Sequence, residues 1–162
     1  MTLHNRNQDF QSEKSSSDLQ LEAKEFFAGQ FNCAQATFLP FALRLGLTKE
    51  IAAKLSQPFG GGMSQAGQAC GAVSGGLLAI GLAQGTSMND PRQKAVCEEV
   101  SKAFISQFKG LHGDITCPGL LGYDLSKTSL ESHERESTRI QMPCSRFVED
   151  AVAIVDLLLS IE

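Results

Sequence analysis

The sequence predicts an all-α fold, a compact single-domain bundle of about five to seven helices. Apolar residues repeat at helical spacing in most segments, as Ala36, Leu39 and Leu43 do. No segment shows the alternation of apolar and polar residues that marks a half-buried β-strand. The chain has 162 residues, 42 % of them hydrophobic, which is enough for one domain with its own buried core.

The first residues differ in composition from the rest of the chain. Residues 1–17 are rich in Ser, Gln and Asn, so we predict a disordered polar tail followed by the all-α domain over 18–162. The tail lacks the apolar segment of a signal peptide, and we therefore expect a cytoplasmic protein. Disulfides are uncommon in that reducing compartment, and five cysteines, an odd number, fit a disulfide framework poorly.

Each helix predicted in the first third of the chain has a start or stop signal. Ser17 precedes a helix over 18–28 that ends before a glycine. Asn32 caps a second helix, in which Pro40 predicts a kink or an early break. A third helix follows over 49–57 and ends before a proline.

A glycine-rich region follows these helices. The run 60–62, three glycines, predicts a flexible turn into a central helix over about 65–84. Gly67, Gly71 and Gly75 recur every four residues and would form a smooth stripe on that helix. Each glycine costs about 1 kcal/mol relative to alanine in a helix interior. The stripe therefore indicates the close approach of another helix or of a cofactor.

Two more long helices are predicted in the second half of the chain. The fifth helix begins at Asn89 and Pro91 and continues to about Lys109, where Gly110 closes it. Pro143 starts a C-terminal helix whose broad apolar face is buried in the domain or in a homodimer. Between them we predict a short helical turn over 119–121 and a charged segment over 126–139. The charged segment is an exposed helix or a mobile loop.

The charge and hydropathy patterns argue against two classes of partner. The formal net charge is −4, the pI is near 5.4, and no run of Lys and Arg is present. The longest apolar stretches, 71–83 and 151–161, are too short to cross a bilayer. We therefore expect no nucleic-acid partner and no membrane span.

Four of the five cysteines stand where a helix or turn is predicted to begin, namely Cys33, Cys70, Cys117 and Cys144. They lie 37, 47 and 27 residues apart, so only the folded domain can bring them together. The free N–H groups and the positive dipole end of a helix start favour thiolate over thiol, which predicts low pKa values for these cysteines. Four such thiols at one point would form a metal site or a redox centre.

The remaining candidate residues have plainer interpretations. Cys97 lies on the apolar side of the fifth helix, and we predict a core thiol. His112 is predicted to be a solvated loop residue; the alternative is a hydrogen-bond donor or proton carrier beside the cysteines. His4 and His133 lie in polar segments and are expected to be solvated. The absence of a Cys-x-x-Cys pair excludes thioredoxin-type and zinc-ribbon spacing.

These residues together resemble the C-GCAxxG-C-C family, small redox-active proteins with four cysteines and a Cys-Gly-Ala-x-x-Gly motif. The resemblance covers about residues 20–160. It rests on Phe31-Asn32-Cys33-Ala34-Gln35-Ala36, Gly60-Gly61-Gly62, Cys70-Gly71-Ala72-Val73-Ser74-Gly75 and the single cysteines at 117 and 144. It implies that Cys33, Cys70, Cys117 and Cys144 are the functional set and that Cys97 is not. Some relatives are thought to hold an iron–sulfur cluster.

Three interpretations of the cysteines remain open at this stage. In the first, the four thiolates bind an iron–sulfur cluster or another thiophilic metal, with Gly71 and Gly75 beside it, for electron transfer or metal handling. In the second, cysteine pairs cycle between dithiol and disulfide in a thiol–disulfide oxidoreductase. In the third, the cysteines form a structural zinc site. The sequence identifies neither a redox partner nor a catalytic residue.

Overall fold

A computed structural model of the chain describes residues 16–127 and 143–160, and these confirm the all-α prediction. Seven helices are present in these ranges: α1 Ser16–Ala28, α2 Cys33–Arg44, α3 Lys49–Ser56, α4 Gly71–Gln84, α5 Pro91–His112, α6 Cys117–Leu121 and α7 Cys144–Ser160. Two 3-10 turns and one short glycine turn join them, at Gln57–Phe59, Leu125–Lys127 and Gly60–Met63. The described ranges contain no β-strand, only an isolated antiparallel bridge between Ala69 and Thr116.

Helix α2 begins where the sequence predicts and does not break at its proline. The side chain of Asn32 accepts a 3.0 Å hydrogen bond from the Gln35 N–H, and the Gln35 side chain accepts a 2.9 Å bond from the Asn32 N–H. The helix then runs through Pro40 to Arg44. Residues 34–42 are all buried, and this packing offsets the backbone bond that the proline cannot donate.

Two other helix boundaries differ from the prediction. Helix α4 begins at Gly71 rather than near 65, because the backbone at Gly67 has a φ of +67° and cannot belong to a right-handed helix. The glycine stripe of α4 therefore contains Gly71 and Gly75 but not Gly67. Helix α5 continues past Gly110 to His112 and ends at Gly113, which adopts the left-handed conformation of a helix cap.

Helix α2 lies at the centre of the bundle and contacts α1, α3, α4 and α7. The C-terminal helix α7 packs against α1, α2, α4 and α5. Its buried apolar residues, which include Val148, Val152 and Val155, all join one hydrophobic core. Packing within a single chain thus accounts for the broad apolar face of α7, and the homodimer stays a prediction.

Several sequence predictions fall outside the described residues. These are His4, His133, most of the polar tail and most of the charged segment 126–139. Ser16 and Ser17, predicted as the end of the tail, are the first residues of α1. Across the described parts of the chain, none of the helices combines the length and apolar character needed to cross a membrane.

Candidate functional site

Three cysteines from distant parts of the sequence meet at one end of the bundle. Cys33 is the first residue of α2, Cys70 is the N-cap of α4, and Cys117 is the first residue of α6. The Cys33 and Cys70 side chains lie within hydrogen-bonding reach of each other, and so do those of Cys70 and Cys117. The structure therefore brings three of the four predicted site cysteines together.

The backbone holds two of these cysteines together directly. The Cys70 N–H donates to the Ile115 carbonyl at 2.7 Å, and the Cys117 N–H donates to the Gln68 carbonyl at 3.0 Å. These two bonds flank the isolated bridge between the segments. Each cysteine is thus fixed both by the helix that it starts and by the segment that carries the other.

Asp114 organises the segment that leads into Cys117. Its Oδ1 atom accepts hydrogen bonds from the Ile115 N–H at 2.6 Å, the Thr116 N–H at 2.9 Å and the Thr116 hydroxyl at 3.1 Å. The Thr116 Oγ1 atom accepts a 3.2 Å bond from the Gly119 N–H and so caps α6. Sequence reasoning missed this carboxylate, although Asp and Thr two residues apart before a Cys-Pro pair are a recognisable turn and cap signal.

Gly71 and Gly75 allow α4 to approach the first turns of α2. A Cβ atom on Gly71 would overlap the Cys33 sulfur and lie 2.9 Å from the Ala34 nitrogen. A Cβ atom on Gly75 would lie 2.6 Å from the Ala34 oxygen and 2.9 Å from the Thr37 Cβ atom. Gly71 therefore makes room for a candidate site thiol, whereas Gly75 serves helix packing.

The prediction of low thiol pKa values is wrong for two of the cysteines. The hydrogen bond that Cys33 donates to Cys70 raises the pKa of Cys33 well above its usual value, and burial adds to the shift. The hydrogen bond that Cys70 donates to Cys117, together with burial, raises the pKa of Cys70 to about 12. Loss of either proton would break a bond and leave a charge in a desolvated pocket, so the helix-start effect does not prevail.

Backbone amides nevertheless lie close to two of the sulfurs. The N–H groups of Gly61 and Ala34 lower the pKa of Cys33, and the Ala72 N–H lowers the pKa of Cys70. Each of these groups favours the thiolate, although the raised pKa values keep both thiols protonated. The pocket therefore already contains donors for sulfur that carries negative charge.

Cys144 is the first residue of α7 and is half-buried. Burial and then the charges of Cys144 and Cys117 raise the pKa of Tyr123, so this ring lies within electrostatic reach of both thiols. Sequence reasoning did not single out Tyr123, the only tyrosine of the chain. Within 16–127 and 143–160, no group of three or more His, Cys, Asp or Glu residues is already arranged as a metal-ion site.

Cys97 packs against the core as predicted, whereas the prediction of a solvated His112 is wrong. Cys97 is half-buried on α5 and packs against the hydrophobic core. The His112 side chain, predicted to be solvated, is only 7 % exposed and packs between Phe108 and Phe147 at ring distances of 4.6 and 4.9 Å. Its Nε2 atom lies 3.2 Å from Oδ2 of Asp150, within ion-pair distance but not aligned for a hydrogen bond.

The comparisons with known proteins agree with the resemblance found in the sequence. A family model described as "Putative redox-active protein (C_GCAxxG_C_C)" matches residues 31–158. No curated protein and no solved structure matches the chain. The matched range includes all three contacting cysteines and Cys144. With most of its length matched, the chain belongs to the C_GCAxxG_C_C family of redox-active proteins.

Proposed function

We propose that this protein is an electron-transfer or metal-handling protein in which Cys33, Cys70, Cys117 and Cys144 bind an iron–sulfur cluster or another thiophilic metal. One observation carries the proposal: Cys33, Cys70 and Cys117 come together at one end of the bundle, although they belong to three different helix starts, and Cys70 and Cys117 are buried. Membership of a redox-active family supports it.

The donor set fits such a group chemically. Thiolates are the soft ligands that iron–sulfur clusters, zinc and copper(I) prefer, and four cysteines are the usual set for a cluster. When bound, a cluster would supply one-electron transfer. The backbone N–H groups directed at Cys33 and Cys70 are the kind of donor that tunes the reduction potential of ligated sulfur.

The chain's own groups would prepare the site in three ways. Gly71 leaves space for the Cys33 sulfur, and Asp114 holds the segment that carries Cys117. The raised pKa values of Cys33 and Cys70 mean that both thiols must release a proton before they can ligate a metal. Affinity should therefore rise with pH, since protons compete with the metal for the sulfurs.

A second candidate function, thiol–disulfide exchange, is favoured by the central position of Cys70. Its thiol contacts both Cys33 and Cys117, so it has two neighbours with which a disulfide could form. Forming one would release two protons and pass two electrons to an external disulfide. The attacking species in such exchange is the thiolate, however, and the raised pKa values of Cys33 and Cys70 keep those thiols protonated. We therefore place this candidate second.

Matched cysteine variants test the proposal. The full chain, Cys70→Ser and Cys97→Ser are reconstituted anaerobically with iron and sulfide, and bound iron and sulfide are counted per chain. We expect the full chain and Cys97→Ser to bind equally and Cys70→Ser to bind far less, with the same helicity by circular dichroism. Equal binding by all three variants would contradict the proposal. Zinc retained without sulfide would exclude a cluster and leave zinc handling or a structural zinc site.

Tyr123 provides an independent test of Cys144 as the fourth ligand. The chain has no Trp and one Tyr, so its intrinsic fluorescence reports Tyr123, which lies near Cys117 and Cys144. We expect uptake of the metal or cluster to change this fluorescence in the full chain and to occur with lower affinity in Cys144→Ser. Unchanged affinity in Cys144→Ser would limit the ligand set to the three contacting cysteines.

A further inference from the structure

The backbone over residues 61–65 is left-handed at five successive positions. The φ angles are +64° at Gly61, +70° at Gly62, +63° at Met63, +53° at Ser64 and +68° at Gln65. Left-handed helical backbone is unfavourable for residues that carry a Cβ atom, and runs of it are rare. We call residues 61–65 the left-handed turn. A turn that keeps three non-glycine residues in this conformation must be fixed by its surroundings.

Hydrogen bonds and close contacts fix the left-handed turn. The Gly60 carbonyl accepts a 3.3 Å bond from the Gln65 N–H, and the Gly62 carbonyl accepts a 2.9 Å bond from the Gln68 N–H. A Cβ atom on Gly60 would lie 2.5 Å from the Nδ2 atom of Asn32. The Asn32 Nδ2 group itself donates to the Gln57 carbonyl at 2.9 Å. The turn is therefore held against the residue that precedes Cys33.

This placement brings one amide to the candidate site. Gly61 follows Gly60, which packs against Asn32, the residue before Cys33. The Cβ position of Gly71 is close to both the Phe59 carbonyl and the Cys33 sulfur, so the chain entering the turn passes this sulfur. The Gly61 N–H group also lowers the pKa of Cys33. We infer that the left-handed turn is a positioning element of the redox site and that it holds the Gly61 amide against the Cys33 sulfur. Gly61 is thus a positioning residue rather than a catalytic one.

The consequence of this amide for redox chemistry rests on the proposed function. An N–H donor stabilises negative charge on a ligating sulfur, so it favours the reduced form of a bound cluster. Removing the donor should therefore shift the reduction potential to a more negative value. A side chain at position 61 would displace the amide, because its Cβ atom would lie 2.5 Å from the Gln65 side chain at a φ unfavourable for alanine.

Hydrogen exchange in the metal-free full chain tests the contact without any cofactor. Cys33→Ala removes the acceptor, whereas Cys33→Ser keeps one. We expect the Gly61 amide to exchange about fivefold to tenfold faster in Cys33→Ala, as for one lost hydrogen bond, and less so in Cys33→Ser. The Gln68 amide, bonded within the turn, should keep its protection in both variants. Unchanged Gly61 exchange in Cys33→Ala, or equal loss of protection at Gln68, would overturn the inference.

The reduction potential of the reconstituted protein tests the consequence. Gly61→Ala is compared with Gly46→Ala, which has the same kind of strain (φ +89°) but no atom within 4 Å of its Cβ position. Gly46 follows the C-terminal end of α2, about 18 Å along the helix from Cys33. We expect a more negative potential only in Gly61→Ala, and equal potentials would overturn the inference. Failure of the full chain to take up a cluster would overturn the proposed function instead, and hydrogen exchange alone would then decide the positioning role.

Discussion

The backbone N–H of Cys70 donates a 2.7 Å hydrogen bond to the carbonyl oxygen of Ile115. This bond joins two segments that are 45 residues apart in sequence and places Cys70 beside Cys117. The Ile115 N–H is in turn held by Asp114. The geometry of the thiol pocket therefore depends on a surface carboxylate as well as on the helices that the cysteines begin.

The first prediction concerns Asp114. Hydrogen bonds from the Thr116 and Ile115 N–H groups and from the Thr116 hydroxyl lower the pKa of this carboxyl below its ordinary value of 3.8. Its contribution to stability is present above the ordinary pKa and is lost as the pH falls through the lowered one. We expect Asp114→Asn to lose less stability on acidification than the full chain, measured by urea unfolding of the metal-free protein. Identical acid profiles would show that the carboxylate does not hold this segment.

The second prediction concerns alkaline pH. The pKa values of Cys33 and Cys70 are raised above the ordinary value of 9.0, so the unfolded chain releases these protons before the folded chain does. The stability of the metal-free protein is therefore retained below pH 9 and falls above it, by about 1.4 kcal/mol per pH unit for each thiol. Urea unfolding between about pH 8 and 11 measures the slope. Cys70→Ala should flatten it, and an unchanged slope would contradict the assignment.

The third prediction separates packing from helix propensity on α4. A Cβ atom on Gly75 would meet the backbone oxygen of Ala34 at 2.6 Å, whereas a Cβ atom on Gly81 would meet nothing within 4 Å. We expect Gly75→Ala to lower the free energy of unfolding by about 1–3 kcal/mol. Gly81→Ala should raise it by up to about 1 kcal/mol, because alanine is the better helix former. Urea unfolding of both variants checks the signs, and a stabilised Gly75→Ala would contradict the close approach of α2 and α4.

The fourth prediction concerns the remaining cysteine. Cys97 is half-buried against the core, so Cys97→Ser should change the free energy of unfolding by about 1 kcal/mol or less. The uptake of iron, sulfide or zinc should not change. Loss of metal or of reversible thiol oxidation in this variant would mean that the division of the five cysteines into four and one is wrong.

Helix starts were predictable because their signals are local. The capping box at Asn32 needs only Asn and Gln three residues apart, and Pro143 directly precedes α7 as expected. The positions of Cys33 and Cys144 at helix starts follow from these same neighbours. The sequence also indicated that α4 carries small residues for a close approach, although Gly67 proved to lie outside the helix.

The thiol pKa values were not predictable, because they depend on contacts between distant segments. A helix start lowers the pKa of an isolated thiol, but in the fold Cys33 and Cys70 lie side by side, and hydrogen bonding and burial raise both pKa values. In the sequence, a run of three glycines is likewise the only signal of the left-handed turn. Two backbone hydrogen bonds, to the Gly60 and Gly62 carbonyls, and the close contact of Gly60 with Asn32 fix it. Tertiary contacts therefore decide the chemistry of the pocket, whereas local signals decide where its helices begin.

Elemental analysis together with a visible spectrum tests directly whether the cysteines bind an iron–sulfur cluster or another thiophilic metal. The full chain is purified and, if needed, reconstituted with iron and sulfide under anaerobic conditions. We expect a coloured protein with iron and acid-labile sulfide in stoichiometric amounts and with sulfur-to-iron charge-transfer absorption. A colourless protein that holds neither iron nor another thiophilic metal after reconstitution, and that loses titratable thiols reversibly on mild oxidation, would show that the cysteines do not form a metal site.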